Sequence, residues 1–193
     1  MDEASKELEK WIASVEEYTP ATWERLPELE LYMDQVLTFM NRQLEPYSPE
    51  GERMLTPSMI NNYVKDEVLP RPIRKKYSKE HLGMLMMICS LKSVLSLPEI
   101  ALLLHGLKDA GETSERYTDF ANAHSHAVKA ATVRITDLPE KDEKTLCRLA
   151  LQLALEANAN RIAAARILNS LGGQLHADKE KEKEKEKEKG KKD

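Results

Sequence analysis

The sequence predicts an all-α protein, and three observations carry that prediction. Leu, Ala, Glu and Lys dominate a chain of 193 residues that holds 7 glycines and 5% aromatic residues, a helix-forming composition. Apolar residues recur three and four apart along almost every segment, which is the period of one helix face. Between those segments stand prolines, or Ser and Thr residues placed as N-caps. A hydrophobic share of 41% is enough to build a core for one domain, or for one small domain with an extension.

A first helix is expected over Met1–Val15, with Leu8, Trp11, Ile12 and Val15 on one stripe, and Thr19-Pro20 ends or restarts it. A strongly apolar helix follows from about Glu28 to Leu44, marked by Leu29, Leu31, Tyr32, Val36, Leu37, Phe39 and Met40. Pro46, Ser48, Pro49 and Gly51 make 46–52 a loop. Thr56 as N-cap and Pro57 in the first helical position then open a short helix over 57–67. Met59, Ile60, Tyr63 and Val64 share its inward face, and Ser58, Asn61, Asn62 and Lys65 share the opposite one. These outer groups are of the kind that reach phosphates and base edges. Pro70 and Pro72 stop the helix and force an extended excursion from Arg71 onward, which ends in Arg74, Lys75 and Lys76 with Tyr77 behind them.

Ser78 caps the most apolar helix of the chain, with Leu82, Met84, Leu85, Met86, Met87, Ile88, Cys89, Leu91, Val94 and Leu95. It must be buried nearly all round, and its methionines read as core packing. Ser96-Leu97-Pro98-Glu99 has the form of a capping box and opens a helix over Leu97–His105, with Gly106 as its C-terminal cap. Thr113 or Ser114 caps a longer helix to about Ile135. After Pro139 a last helix runs from about Lys141 to Leu171, closed by Gly172-Gly173. Two apolar stripes run along it. One, at heptad spacing, includes Leu146, Leu153, Asn160, Ile167 and Leu171, and the other includes Leu149, Leu151, Leu155 and Ile162. A helix apolar on two sides needs two neighbours. Its own domain supplies one, and the heptad row is assigned as a dimer seam against a second copy. From Lys179 to Lys189 the chain alternates Lys and Glu with no apolar side chain, so 177–193 is expected to be a disordered Lys/Glu tail or a frayed helix.

Charge is unevenly distributed. The net charge is −4, yet residues 1–52 hold thirteen acids and four bases, while 53–81 hold seven bases and three acids. The only basic section of the folded part therefore coincides with the short polar helix and the excursion after it. Local sign governs contact with a polyanion such as double-stranded DNA. Cys89 and Cys147 lie in apolar helical patterns without a Cys or His at ligand spacing, so buried free thiols in a reducing compartment are expected. Met1–Lys10 is acidic and polar, so no signal peptide is expected, and no apolar run approaches about 20 residues. The expected location is cytoplasmic, with no membrane partner. His124 and His126 point about 200° apart on a helix and cannot share a metal. With no Ser-His-Asp order, no phosphate-cradling Gly loop and no paired-acid motif, neither enzyme activity nor a cofactor or metal is expected.

The runs Thr56-Pro57-Ser58-Met59-Ile60-Asn61-Asn62-Tyr63, Leu69-Pro70, Lys76-Tyr77-Ser78-Lys79-Glu80-His81-Leu82 and Leu95-Ser96-Leu97-Pro98-Glu99-Ile100 resemble the MerR family of transcription regulators. Together with Leu31-Tyr32-Met33-Asp34-Gln35, they are most similar to an uncharacterised bacterial group described as MerR-like, the domain-of-unknown-function family 1836. The resemblance covers about residues 25–107. It implies a MerR-like winged helix-turn-helix core at 25–107, preceded by an N-terminal helical arm at 1–24 and followed by C-terminal helices at 108–176 that join a homodimer. It implies that Tyr63, Lys65, Arg74, Lys75 and Lys76 hold the DNA backbone, with Ser58, Asn61 and Asn62 facing the groove and Arg71 and Tyr77 in the wing. It also implies a DNA-binding transcriptional regulator acting on a pseudo-palindrome, and leaves room for an unidentified effector. Two departures stand out. Asn occupies the region near Asn61 and Asn62 where the family carries Arg, and Pro72-Ile73 replace the glycines of its wing. The missing arginine and the acidic 1–52 segment favour the rival reading, a helical protein-interaction module that has lost DNA binding. The basic wing, which such a module would have no reason to carry, favours the first.

Overall fold

The computed structural model describes residues 3–17, 20–45, 54–108 and 111–189, and those residues form a helical protein. The helices are α1 (Glu3–Glu17), α2 (Met33–Leu44), α3 (Pro57–Lys65), α4 (Lys79–Leu91), α5 (Leu97–Gly106), α6 (Thr113–Thr136) and α7 (Glu143–Lys189), with a 3-10 turn at Trp23–Arg25. The loop expected at 46–52 lies outside the described residues, as do Thr19 and the last four residues of the tail.

The core forms around α4, because that helix is apolar on every side. Leu82, Leu85 and Ile88 are fully buried, and α2 and α6 cover it from two directions. α2 contributes Val36, Met40 and Leu44, four apart on one stripe. α3 contributes Ile60 and Tyr63, and α5 contributes Ile100 and Leu104. α6 is anchored by Tyr117, which is fully buried. Its ring lies 5.7 Å from Trp23 and 6.0 Å from Phe120, and its hydroxyl donates to the Ala21 carbonyl at 2.7 Å. Gly83 of α4 allows this approach, since a Cβ there would stand 3.1 Å from Trp23 and 3.2 Å from Tyr117.

Several expectations are corrected. Residues 28–32 are not helical: Leu31 forms an antiparallel bridge with Tyr77, N–H to carbonyl in both directions at 2.9 and 2.8 Å. The backbone there is committed to Tyr77, and α2 begins after Tyr32, whose N–H donates to Gln35 Oε1 at 2.9 Å. α4 stops at Leu91, which leaves Val94 exposed. α6 takes Glu112 as its N-cap, with Glu115 Oε2 accepting from the Glu112 N–H. Cys89 is buried but Cys147 is exposed on the outer side of α7. Nor does Gly172-Gly173 end α7, which continues to Lys189, so 177–189 takes the helical form of the two expected for the tail. Lys and Glu are both good helix formers.

α7 splits the row expected as a dimer seam between its own chain and the outside. Leu146 and Leu153 of the expected seam are half-buried within the chain, and Leu168 is buried. Asn160, Ile167 and Leu171 of that row are exposed. In the other row Leu149 is half-buried, while Leu151 is 62% exposed, Leu155 61% and Ile162 47%. The seam assignment took the heptad row to face outward, but the chain uses much of that face for α5 and α6.

Candidate nucleic-acid interface

The site is built on α3 and the segment that follows it. Thr56 Oγ accepts from the Met59 N–H at 3.3 Å and Pro57 fills the first helical position, so the helix start matches the sequence reading. Asn41 of α2 fixes that start from below. Its side-chain carbonyl accepts from the Leu55 N–H and its amide donates to the Leu55 carbonyl, both at 3.1 Å. A buried backbone segment has both polar groups satisfied by one side chain, which sets the register of α3 against α2. The Lys92 ammonium adds a hydrogen bond to the Met54 carbonyl.

Met59, Ile60, Tyr63 and Val64 do face inward, and Ser58, Asn61, Asn62 and Lys65 are exposed. α3 ends in a hydrogen-bonded turn with Glu67 in the left-handed region at φ 57°. The Val68 N–H reaches the Tyr63 carbonyl at 2.9 Å and the Glu67 N–H reaches the Val64 carbonyl at 3.3 Å, the pattern of a Schellman cap. That turn delivers Val68 and Leu69 into the core and sends Pro70–Lys76 outward.

The excursion is a small hairpin rather than a simple extended run. Lys76 N–H donates to the Ile73 carbonyl at 2.9 Å, and Arg74 and Lys75 between them hold φ of 52° and 64°. Positive φ at both central positions is the feature of a type I′ turn, usually taken by Gly or Asn. Two long basic side chains here cost about 1–2 kcal/mol each in the left-handed region. The base of the hairpin is closed by the Leu31–Tyr77 pair. Arg71, Arg74 and Lys75 are exposed and none joins an ion pair among the described residues. Ile73 beside them is 70% exposed.

Most members of the expected set are exposed on α3 or on the hairpin, and three are not. Tyr63 and Tyr77 are buried, so their rings do not face solvent and neither reaches a ligand on this face. Burial pushes the Tyr63 hydroxyl up to about 12 and raises that of Tyr77. Both tyrosines sit at points of support: Tyr63 under the Schellman turn and Tyr77 at the base of the hairpin. Lys76 is half-buried, its Nζ 5.5 Å from the centre of the Tyr32 ring. Lys79 is drawn off to Glu28 at 2.7 Å and to the Trp23 ring. The exposed polar head is therefore Ser58, Asn61, Asn62 and Lys65 on the helix, with Arg71, Arg74 and Lys75 on the hairpin.

His81, unremarked in the sequence beyond its place in the first turn of α4, ties hairpin and helix together. Its Nδ1 accepts from the Ser78 N–H at 3.1 Å, and its ring meets Tyr77 edge-on at 5.6 Å. Nε2 is buried beside the backbone of Pro70 and Arg71 without a well-formed hydrogen bond. Burial lowers its pKa below the ordinary value, against the opposing pull of those backbone groups and of Glu80 and Glu30. The folded state thus disfavours the proton more than the unfolded chain does. Stability from this group is complete above about pH 6.5 and is lost as pH falls from there through the lowered folded value. His124, also lowered by burial, adds in the same direction. Denaturation midpoints taken from about pH 7.5 down to about pH 5 are expected to fall, and to fall less in His81→Gln, which keeps an acceptor for Ser78. Equal pH dependence in the two proteins would rule out this role for His81.

Among the described residues no group of three or more His, Cys, Asp or Glu side chains is arranged to hold a metal, and no helix is long and apolar enough to cross a membrane.

The geometry thus defines a helical protein in which a short helix with an exposed polar face is followed directly in the chain by a strained basic hairpin. The chain belongs to the family described as Domain of unknown function (DUF1836), whose model matches residues 21–125. That span takes in α2–α5 and the first half of α6, including Tyr117. No curated protein and no solved structure matches the chain.

Proposed function

We propose that the chain is a sequence-specific binder of double-stranded DNA, a MerR-like winged helix-turn-helix regulator of transcription that works as a homodimer. In this reading α3 enters the major groove. Asn61 and Asn62 read base edges, as Asn does for adenine, and Ser58 and Lys65 support them. The hairpin is the wing, with Arg71, Arg74 and Lys75 holding phosphates and so setting register. The observation that carries the reading is the exposed polar face of α3 beside three basic side chains without ion pairs, on a unit clamped by Asn41 and by the Leu31–Tyr77 bridge. A protein interface would have no need to hold two cationic residues in strained backbone at a tip. The second copy is assigned to the unpartnered row Leu151, Leu155 and Ile162 of α7, with Asn158 between them at coiled-coil spacing.

The test is selection from a random-sequence duplex pool with the full chain at low and moderate salt. A two-fold-related motif is the expected product, its half-site spacing fixed by the dimer. Recovery of no duplex, even at low salt, would replace this reading with that of a protein-interaction module.

A further inference from the structure

We propose that the cleft behind α3 is a binding site for a small organic anion, a carboxylate or phosphate carried on a compact apolar body. The cleft has a volume of about 700 Å³, within the ordinary range for small-molecule sites. It lies where four elements meet: the Schellman turn and hairpin root, α4, α5 and the start of α6. Its apolar wall includes Val68, Leu69, Pro70, Met84 and Leu104, of which Val68, Leu69 and Leu104 belong to the core.

Arg116 of α6 gives the cleft its chemistry. One guanidinium nitrogen, Nη2, donates to Thr113 Oγ at 2.9 Å, while Nε is fully buried with no hydrogen-bond partner. Arg116 as a residue is half-buried and lines the cleft, and an oxyanion is the partner that matches a planar guanidinium fork. The acids that line the same cleft do not serve. Asp66 and Glu67 are exposed, and the Glu80 carboxylate is engaged with Ser78 Oγ at 2.5 Å. Among the described residues the ion pairs are Lys79–Glu28, Arg134–Glu156 and Lys141–Glu9, and none joins residues of the cleft. Arg71 and Lys108 add two further cations to the lining. An anion seated on Arg116 would place its apolar part against Leu69 and Pro70, at the root of the basic hairpin.

The test is a titration of the full ¹⁵N-labelled chain, without DNA, against benzoate and against phenyl phosphate, with benzamide as the neutral counterpart. Saturable shifts are expected at the amides of Val68, Leu69 and Arg71 and of 104–108 and 113–116 with one anion or both, and the relative affinities rank carboxylate against phosphate. Benzamide should bind at least about tenfold more weakly. Arg116→Gln is expected to weaken the anion by about tenfold or more, and Arg116→Lys, which keeps the charge but has no Nε–H, by a smaller factor. If Arg116→Gln does not fold, Arg116→Lys decides. Absence of saturable shifts with either anion would overturn the proposal. So would shifts confined to the hairpin tip, equal binding of benzamide, or unchanged affinity in the folded variants.

Discussion

Replacing Arg71, Arg74 and Lys75 together by Ala is expected to weaken binding to any duplex by on the order of a hundredfold at about 0.1 M salt. Each phosphate contact contributes roughly 0.9 to the slope of log affinity against log salt, so losing three should reduce that slope by close to three. The effect should be nearly the same on specific and random DNA, because phosphate contacts position the protein without reading sequence. These three residues are the right ones to remove. They are exposed and free of ion pairs, whereas Lys76 lies over Tyr32 and Lys79 is paired with Glu28. Ala keeps a Cβ at the positive-φ positions, so the turn is no less strained and no more flexible than before. A control that removes Lys129, Lys144 and Arg148 subtracts the same charge from exposed sites on α6 and α7. Salt-dependent binding measured for both proteins separates local contact from net charge. Equal slopes in the hairpin variant and the parent would remove the hairpin from the interface.

Tyr117→Ala is expected to cost about 3–5 kcal/mol, the usual range for a large aromatic deleted from a core. Against a typical domain stability of about 5–15 kcal/mol, that leaves the protein close to unfolding at ambient temperature. The loss has three parts: the packing of a fully buried ring against Trp23, Phe120 and Gly83, the hydrogen bond to Ala21, and the docking of α6 that both support. Tyr117→Phe isolates the hydrogen bond and should cost only about 1 kcal/mol, plus the desolvation of the Ala21 carbonyl if no water replaces the hydroxyl. Urea denaturation of the three proteins gives both differences. A Tyr117→Ala cost below about 1 kcal/mol would mean that α6 is held elsewhere.

These two predictions differ in how far the sequence alone could have reached them. The order of the helices was legible, because period and capping agree at the starts of α3, α4 and α5. Thr56-Pro57, Ser78 and Ser96-Leu97-Pro98-Glu99 each open a helix where local chemistry says they should. The exposed face of α3 was legible for the same reason: four inward apolar residues define it. Long-range decisions were not legible. No local signal shows that Leu31 gives its backbone to Tyr77, and apolar spacing alone reads 28–32 as helix. The tyrosines of the basic segment looked like ligand contacts because burial is a property of the assembled core. Asn41 carried a weak signal, a polar residue between Met40 and Leu44 of the buried stripe. Arg116 carried none, since its unpaired Nε arises from packing of α6 against segments some forty-five residues away along the chain. On α7, two stripes were visible but their assignment to own core or outside required knowing where α5 and α6 lie.

α7 has a further consequence for how evenly the protein resists exchange with solvent. Every residue from 157 to 163 is exposed, so this stretch draws no support from burial and depends on its own backbone hydrogen bonds and on the packed turns at either end. Bare helix of that length is marginal in water. Amide protons at 157–163 should therefore open by local fluctuations well below the global unfolding free energy, while those of α4 open only with the whole molecule. Any surface that comes to lie along Leu155 and Ile162 would close that gap, and the protection of these few amides would report its arrival.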